Sequence, residues 1–370
     1  MKNDRIMIVA NDTSYVYKLR KEILKSFVEK GYTVYIVAKK INFVKELESI
    51  GCNVIDLNIP RHGTNPFSDL KLYSQAKVIL NQTQPDIVFS YNIKPNVYFG
   101  LACDKYKIPF VPNITGLGKA LEYPGLLQIL AKKLYKIGLK GASTVLFQNS
   151  YNRDFFFKNN IITEDQDYFI LPGSGVNTEE YGIMDYPSTD KIYFLFIGRI
   201  RKEKGIEYLI NSAKKLHMKY SNVFFNICGL CEDDKYIQIF DELEQDGYLK
   251  YNGEQKDLTP FYKSANCIVH PTYYPEGMSN VLLEACSHAR PIITTDRPGC
   301  REIVDDGYNG YMIETRNQEQ LDSALEKFIN LSYDDKLKMG LNGREKIEKQ
   351  FDRKLVVNKY MELTADILDN

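Results

Sequence analysis

Short apolar runs alternate with longer amphipathic stretches along the chain to about residue 295, and no other feature restricts the fold so tightly. Arg5-Ile6-Met7-Ile8-Val9-Ala10 reads as a strand, residues 15–30 as an amphipathic helix stopped at Gly31, 33–38 as a strand, 43–50 as a helix closed by Gly51, and 53–57 as a strand. Further strands are expected at 86–90, 110–114, 144–148 and 168–171. Strand and helix in alternation predict an α/β chain whose parallel sheet is covered by helices on both faces. Pro172-Gly173-Ser174-Gly175-Val176-Asn177 has the composition of a linker, after which the alternation restarts. Strands are expected at 191–198, 222–229, 249–252, 267–270 and 291–295, with helices at 206–219 and 235–246. The chain is therefore read as two Rossmann-like domains, residues 1–175 and 176–352, with a cleft between them where a small molecule binds.

At 370 residues and 44% hydrophobic content the chain is long enough for two such cores. No apolar run approaches the roughly 18 to 20 residues of a membrane span, and Met1-Lys2-Asn3-Asp4-Arg5 leads into a strand rather than a signal-peptide core, so a cytoplasmic location is expected. Seven scattered cysteines fit reduced thiols better than a disulfide framework. The zero net charge conceals an asymmetry of +8 over residues 1–175 and −8 over 176–370. A basic first half favours an anionic surface or ligand, and mutual attraction of the halves is an equal alternative. No nucleic-acid partner is expected.

Ligands of parallel sheets gather at the carboxyl ends of the strands. The first such loop, Asn11-Asp12-Thr13-Ser14, lacks a G-x-G-x-x-G fingerprint, which argues against a dinucleotide oxidoreductase. The loops Tyr91-Asn92-Ile93-Lys94-Pro95-Asn96 and Thr115-Gly116-Leu117-Gly118-Lys119 are polar and each carries a lysine. Asn92, Lys94, Thr115 and Gly116, together with Arg61 of Arg61-His62-Gly63, are candidates for an anionic or sugar acceptor wall. In the second half, Gly198-Arg199-Ile200-Arg201-Lys202-Glu203-Lys204-Gly205 follows a strand. Gly198 lets a ligand approach the backbone, and Arg199 and Lys204 can reach one phosphate group. Farther on, Ser279 reads as the N-cap of a helix continued by Val281, Leu282, Leu283 and Ala285. The amides of Ser279, Asn280 and Val281 then form an anion site, flanked by Glu276 and Glu284, which can bind sugar and ribose hydroxyls. Taken alone, the segment fits an ordinary capped helix with solvated glutamates equally well.

Residues 126–140 combine Leu127, Leu130, Leu134 and Ile137 on one face with Lys132, Lys136 and Lys140 at intervals of four on a neighbouring one, and Lys133 beside them. The commoner explanation is a solvated basic face over a core stripe; the alternative is a helix lying on an anionic membrane.

Gly-Arg-x-x-x-x-Lys-Gly at 198–205, Glu-x7-Glu at 276–284, and Arg290-Pro291-Ile292-Ile293-Thr294-Thr295 followed by Pro298-Gly299-Cys300-Arg301-Glu302 resemble the GT4 family of retaining glycosyltransferases. The similarity extends to Pro85-Asp86-Ile87-Val88 and Lys94-Pro95-Asn96 in the first half. It implies a GT-B fold with a C-terminal helix, residues 353–370, crossing back to the first, acceptor-binding domain. It also implies that Arg199 and Lys204 bind the donor diphosphate, that Glu276 contacts the transferred sugar, and that Glu284 holds the ribose. Gly198, Lys256, Met278, Ser279, Asn280 and Val281 would complete the donor site. No cofactor or metal is expected beyond the nucleotide-sugar itself, which is expected to be a UDP-sugar. The motifs at 115–118 and 94–96 are similar to the subset that extends lipid-linked or surface-polysaccharide glycans with a hexose or N-acetylhexosamine. A polyprenyl-diphosphate acceptor and peripheral attachment to the inner face of the plasma membrane follow as expectations. The chain departs from many relatives in lacking a Gly-Gly pair at 11–14 and a His at Tyr91 or Asn92.

Two further readings stay open: a nucleotide-sugar 2-epimerase of the same form, and a catalytically silent nucleotide-binding partner subunit. Cys228-Gly229-Leu230-Cys231 and Asp165-Gln166-Asp167 spell metal or redox motifs but lack a second pair and the right domain, respectively. His270 ends a strand beside the Glu276 loop, while His217 and His288 read as helix-surface residues.

Overall fold

The computed structural model describes residues 4–60, 63 and 65–369. Arg61 and His62 lie outside the described residues. The chain divides into two compact units, one running to Ser174 and resuming at Arg353, the other spanning Gly175–Asp352.

In chain order the first unit contains β1 (Arg5–Asp12), α1 (Thr13–Glu29), β2 (Thr33–Lys39), α2 (Val44–Ile50), β3 (Asn53–Asp56), α3 (Pro66–Thr83), β4 (Ile87–Tyr91), α4 (Ile93–Tyr106), β5 (Phe110–Ile114), α5 (Gly118–Glu122), α6 (Leu126–Gly138), β6 (Val145–Phe147), α7 (Ser150–Lys158) and β7 (Tyr168–Ile170). The second unit contains β8 (Ile192–Ile197), α8 (Ile206–His217), β9 (Val223–Cys228), α9 (Lys235–Gln245), β10 (Leu249–Tyr251), α10 (Thr259–Ser264), β11 (Cys267–His270), α11 (Asn280–Ser287), β12 (Ile292–Thr295), β13 (Gly310–Ile313), α12 (Gln318–Ile329) and α13 (Tyr333–Gln350). The last helix, α14 (Arg353–Asp369), belongs to the first unit.

Among the described residues, the first sheet has seven parallel strands in the order β3-β2-β1-β4-β5-β6-β7, and the second has six in the order β10-β9-β8-β11-β12-β13. Both are doubly wound, with the strand order reversing between β1 and β4 and between β8 and β11. Buried on both faces, the central strands read as unbroken apolar runs: Ile6 to Ala10, and Phe194 to Phe196, are essentially without exposure. Helix α14 is tied to the first unit by a Tyr360 hydroxyl that accepts from Tyr91 and Asn113, each at 2.9 Å, and by an Arg353–Glu22 ion pair of 2.8 Å.

The 126–140 stripe is not the core stripe expected from its spacing. Leu127, Leu130 and Ile137 are 49, 42 and 55% exposed and Leu126 is 87% exposed, whereas α6 buries Ala131, Tyr135 and Gly138. The helix is turned because it crosses α4 at van der Waals contact. A Cβ on Gly138 would stand 2.6 Å from the Val97 Cα, and one on Gly100 would stand 2.0 Å from the Gly138 carbonyl oxygen. Small residues must face the crossing, so Leu126, Leu127, Leu130 and Ile137 face outward, while Leu134 alone of the stripe packs half-buried against the core.

Candidate active site

Strands β8 and β11 flank the switch point of the second sheet, and their carboxyl ends lead into segments 198–205 and 271–279. The two segments interlock. The Tyr273 amide donates to the Glu203 carbonyl at 2.9 Å, and the Thr272 hydroxyl donates to the same oxygen at 3.3 Å.

This brings three cations to one place. Tyr274 lies with its ring 6.0 Å from the Arg199 guanidinium, 5.2 Å from that of Arg201 and 5.5 Å from the Lys204 ammonium, so its negative face gathers charges that would otherwise repel. Each cation also meets an acid. Arg199 pairs with Glu232 at 3.0 Å, Arg201 with Glu203 at 3.1 Å and Glu232 at 3.3 Å, and buried Lys204 with Glu276. Beside that last pair stands His270. It is buried, its Nε2 lies 4.0 Å from a Glu276 oxygen, and neither ring nitrogen has a hydrogen-bond partner. Burial, then the neighbouring Lys204 charge, holds the His270 imidazole well below its usual range, so it is neutral at physiological pH. Tyr274, Arg201, Glu203 and Glu232 had no assigned role in the sequence reading. The density of Arg, Lys and Glu around 199–204 was the available signal.

The helix start differs in detail from expectation. Ser279 occupies the N-cap position of α11, yet its side chain makes no cap bond and its amide donates to the Gly299 carbonyl at 2.8 Å. The Gly299 amide in turn donates to Glu302 at 2.7 Å, so the 298–302 loop closes over this turn and takes the donor that Ser279 was expected to offer. Asn280 and Val281, in the first turn, retain amides without a helical acceptor. Met278, expected to touch the donor, buries its side chain in the apolar cluster with Leu282 and Ile268 and can offer only backbone. Gly198 directly follows β8 beside Arg199, and Lys256 is exposed between β10 and α10.

Glu284 accepts from the Tyr262 hydroxyl at 3.0 Å, and burial, with Glu284 as the next cause, pushes that phenol well above its usual range, so it remains a donor. The Tyr262 carbonyl accepts from Arg290 at 2.8 Å. Arg290 is wholly buried and also donates to the carbonyls of Asp185, Met184, His288 and Lys263 at 2.7, 3.1, 3.2 and 3.3 Å. Burial lowers its guanidinium to about 10, which leaves it cationic at neutral pH. Arg290→Leu strands these acceptors and is expected to cost about 3–5 kcal/mol, read as a lowered denaturation midpoint. His288, expected on a helix surface, is buried as the C-cap of α11 with Nδ1 2.7 Å from the Gly182 carbonyl oxygen. His217 is half-buried, stacked on Tyr248 at 4.2 Å.

In the first unit the expected loop 91–96 is largely helix. Asn92, at φ 73, is the whole connection between β4 and α4, and Lys94, Pro95 and Asn96 form the first turn, where proline is tolerated. Lys94 pairs with Asp69 at 2.7 Å instead of standing open in a loop. Asn92 carries a buried side-chain oxygen with no hydrogen-bond partner at the β1/β4 switch point. Thr115 and Gly116 follow β5 and are half-buried, Thr115 within reach of the Tyr15 phenol. Arg20 was missed: its buried guanidinium lies 4.5 Å from the Tyr91 ring and donates to the Tyr15 hydroxyl at 3.1 Å.

Cys228 is buried with its thiol pushed up to about 12 by burial, and the seven cysteines are free. Among the described residues, no group of three or more His, Cys, Asp or Glu side chains is placed to hold a metal ion.

Two doubly wound parallel-sheet units, the second with a cation cluster and a helix start at its switch point, define an α/β protein of GT-B fold. Residues 5–149 match the family described as Glycosyl transferase 4-like and residues 185–346 match Glycosyl transferases group 1. The chain belongs to this glycosyltransferase family. It is 24% identical to the N,N'-diacetylbacillosaminyl-diphospho-undecaprenol alpha-1,3-N-acetylgalactosaminyltransferase of Campylobacter jejuni, over 99% of this chain and 100% of that one. It is 26% identical to the capsular polysaccharide biosynthesis glycosyltransferase CapM of Staphylococcus aureus, over 96 and 95%. Among solved structures, Anabaena HepE in complex with UDP superposes with a TM-score of 0.77 at 15% identity, over 98% of this chain and 99% of that one.

Proposed function

We propose that this glycosyltransferase moves a hexose or N-acetylhexosamine, with retention, from a UDP-sugar to a polyprenyl-diphosphate-linked glycan in the synthesis of a cell-surface polysaccharide or glycan. The observation that carries the reading is the convergence of Arg199, Arg201 and Lys204 on Tyr274, in the segment that interlocks with the one leading to the first turn of α11. A departing nucleoside diphosphate gathers negative charge, and cations and amides already in place stabilise it without reorganisation. These side chains supply the positive charge, so the reading calls for no metal. Glu276 then contacts the sugar and Glu284 the ribose, with Gly198, Lys256, Asn280 and Val281 lining the donor and Asn92, Thr115 and Gly116 the acceptor. The acceptor hydroxyl attacks the face the diphosphate leaves, and a departing phosphate oxygen takes its proton. UDP is favoured by the HepE complex, and the lipid-linked acceptor by the names of the Campylobacter and Staphylococcus relatives.

Peripheral attachment to the inner face of an anionic membrane is supported by the outward leucines of α6 beside Lys132, Lys133 and Lys136. No helix among the described residues is long and apolar enough to cross a membrane. Each inserted leucine contributes about 1.5–3 kcal/mol and each lysine near the surface about 1 kcal/mol. The chain is therefore expected to sediment with phosphatidylglycerol vesicles, and Leu126→Ser with Leu127→Ser to lower that binding at least about tenfold. A wild-type chain left wholly in solution would remove the membrane from the reading.

The function itself is tested by incubating the chain with UDP- and GDP-sugars, with and without a polyprenyl-diphosphate glycan, and reading products by mass spectrometry. Transfer from a UDP-sugar with the α-linkage kept is expected. Conversion of UDP-GlcNAc to its epimer without acceptor, or no turnover at all, would replace the reading with one of the two alternatives.

A further inference from the structure

A buried imidazole with neither nitrogen hydrogen-bonded requires an explanation, because an unpaired polar group out of water costs free energy that a phenylalanine of similar shape would not. His270 is such a residue. Its place is tightly defined: the Thr294 hydroxyl donates to its carbonyl at 2.9 Å, its ring stacks on Phe196 with centroids 6.2 Å apart, and its Nε2 is 4.0 Å from a Glu276 carboxylate oxygen. That separation is about an ångström beyond hydrogen-bond reach. The carboxylate is meanwhile paired with Lys204.

We infer that His270 is a positioning residue for Glu276: when donor phosphates draw Lys204 away, the freed carboxylate turns to His270, whose Nε2–H takes the place of the ammonium. The inference rests on the donor-site reading above. Lys204 cannot serve the diphosphate and Glu276 at full strength together, since each anion competes for the same three N–H donors. Without a replacement, the partly shielded Glu276 would be left uncompensated at the moment it must present an oxygen to the sugar. A neutral imidazole answers this need better than a second cation would. It holds the carboxylate by one hydrogen bond and leaves its charge available to the oxocarbenium-like sugar. Nε2 stays unpaired while the Lys204 ammonium, the stronger partner, holds the carboxylate. The exchange moves no covalent bond and transfers no proton.

The test uses the full chain with 15N-labelled histidine, with His270→Gln identifying the resonance among the four histidines. UDP is added while its binding is followed in parallel by calorimetry. On saturation the His270 ring N–H is expected to shift downfield and exchange slowly with water. His270→Phe keeps the ring and its stacking but no donor. It is expected to bind UDP within about twofold of the wild type and to lose about tenfold in kcat, with the loss largely restored in His270→Gln. Combined with Glu276→Gln, His270→Phe should cost almost nothing further. Bound UDP with an unchanged His270 resonance would overturn the exchange, as would a His270→Phe enzyme of wild-type kcat. Absence of UDP binding would instead overturn the donor-site reading. Should His270→Phe not fold, the resonance of the wild-type chain decides the matter.

Discussion

Lys204→Ala is expected to reduce kcat/KM by about 10²–10³ and to weaken UDP binding, measured by initial rates and calorimetry. The size of the effect follows from the position of this residue. Its ammonium is buried, 5.5 Å from the Tyr274 ring, and paired with Glu276. Alanine removes a donor to the leaving diphosphate and exposes that diphosphate to an unneutralised carboxylate. The carboxylate, left with only the neutral His270 imidazole to turn to, also destabilises the second unit by about 1–3 kcal/mol. The partner substitution is expected to act in opposite directions on the two quantities. Glu276→Gln frees Lys204, so UDP should bind about tenfold tighter, while kcat falls by about 10² for want of the charge facing the sugar. Parallel losses of binding in both variants would show that Glu276 does not compete with the diphosphate for Lys204, and an active Lys204→Ala enzyme would remove the donor site from 198–205 altogether.

Gly205→Ala is expected to disrupt the site-bearing segments of the second unit, costing about 3 kcal/mol or more. Gly205 sits at φ +77, between Lys204 and the first turn of α8, and a Cβ there would stand 2.1 Å from the Pro271 carbonyl oxygen. Neither strain can be relieved by a side-chain rotation, because the obstacle is backbone that directly follows His270. The two interlocked segments would be forced apart, so the thermal midpoint and UDP affinity should fall together. A Gly205→Ala protein with wild-type midpoint and affinity would mean that the 198–205 and 271–279 segments are not packed as described.

The fold was legible where local preference and burial agree. The strands expected at 110–114 and 267–270 coincide with β5 and β11, because apolar runs bounded by polar or proline-containing turns leave little freedom in their ends. Helix α3 was passed over: Phe67, Leu70 and Val78 are exposed on it, and these outward apolar residues blur its 3.6-residue period. Edge strand β13, half-buried, was also missed. On α6 the period holds but the facing differs from expectation, since two glycines at a helix crossing outweigh the pull of Leu127, Leu130 and Ile137 toward the interior. The site was partly visible in the same way. The Arg199 to Lys204 spacing and the Glu276 to Glu284 spacing stand in the chain, but the Tyr274 ring between the cations and the unpaired nitrogens of His270 do not.

What the linear order could settle is what each residue decides with its near neighbours: periodicity, caps, the linker at 172–177, and the supply of cations and carboxylates to two segments. Which carboxylate neutralises which cation was beyond it. Arg199 meets Glu232, 33 positions away, and Lys204 meets Glu276, 72 positions away. Those pairings exist because β8 lies between β9 and β11, and a strand order is set by the packing of whole layers against one another, which no short stretch of chain encodes.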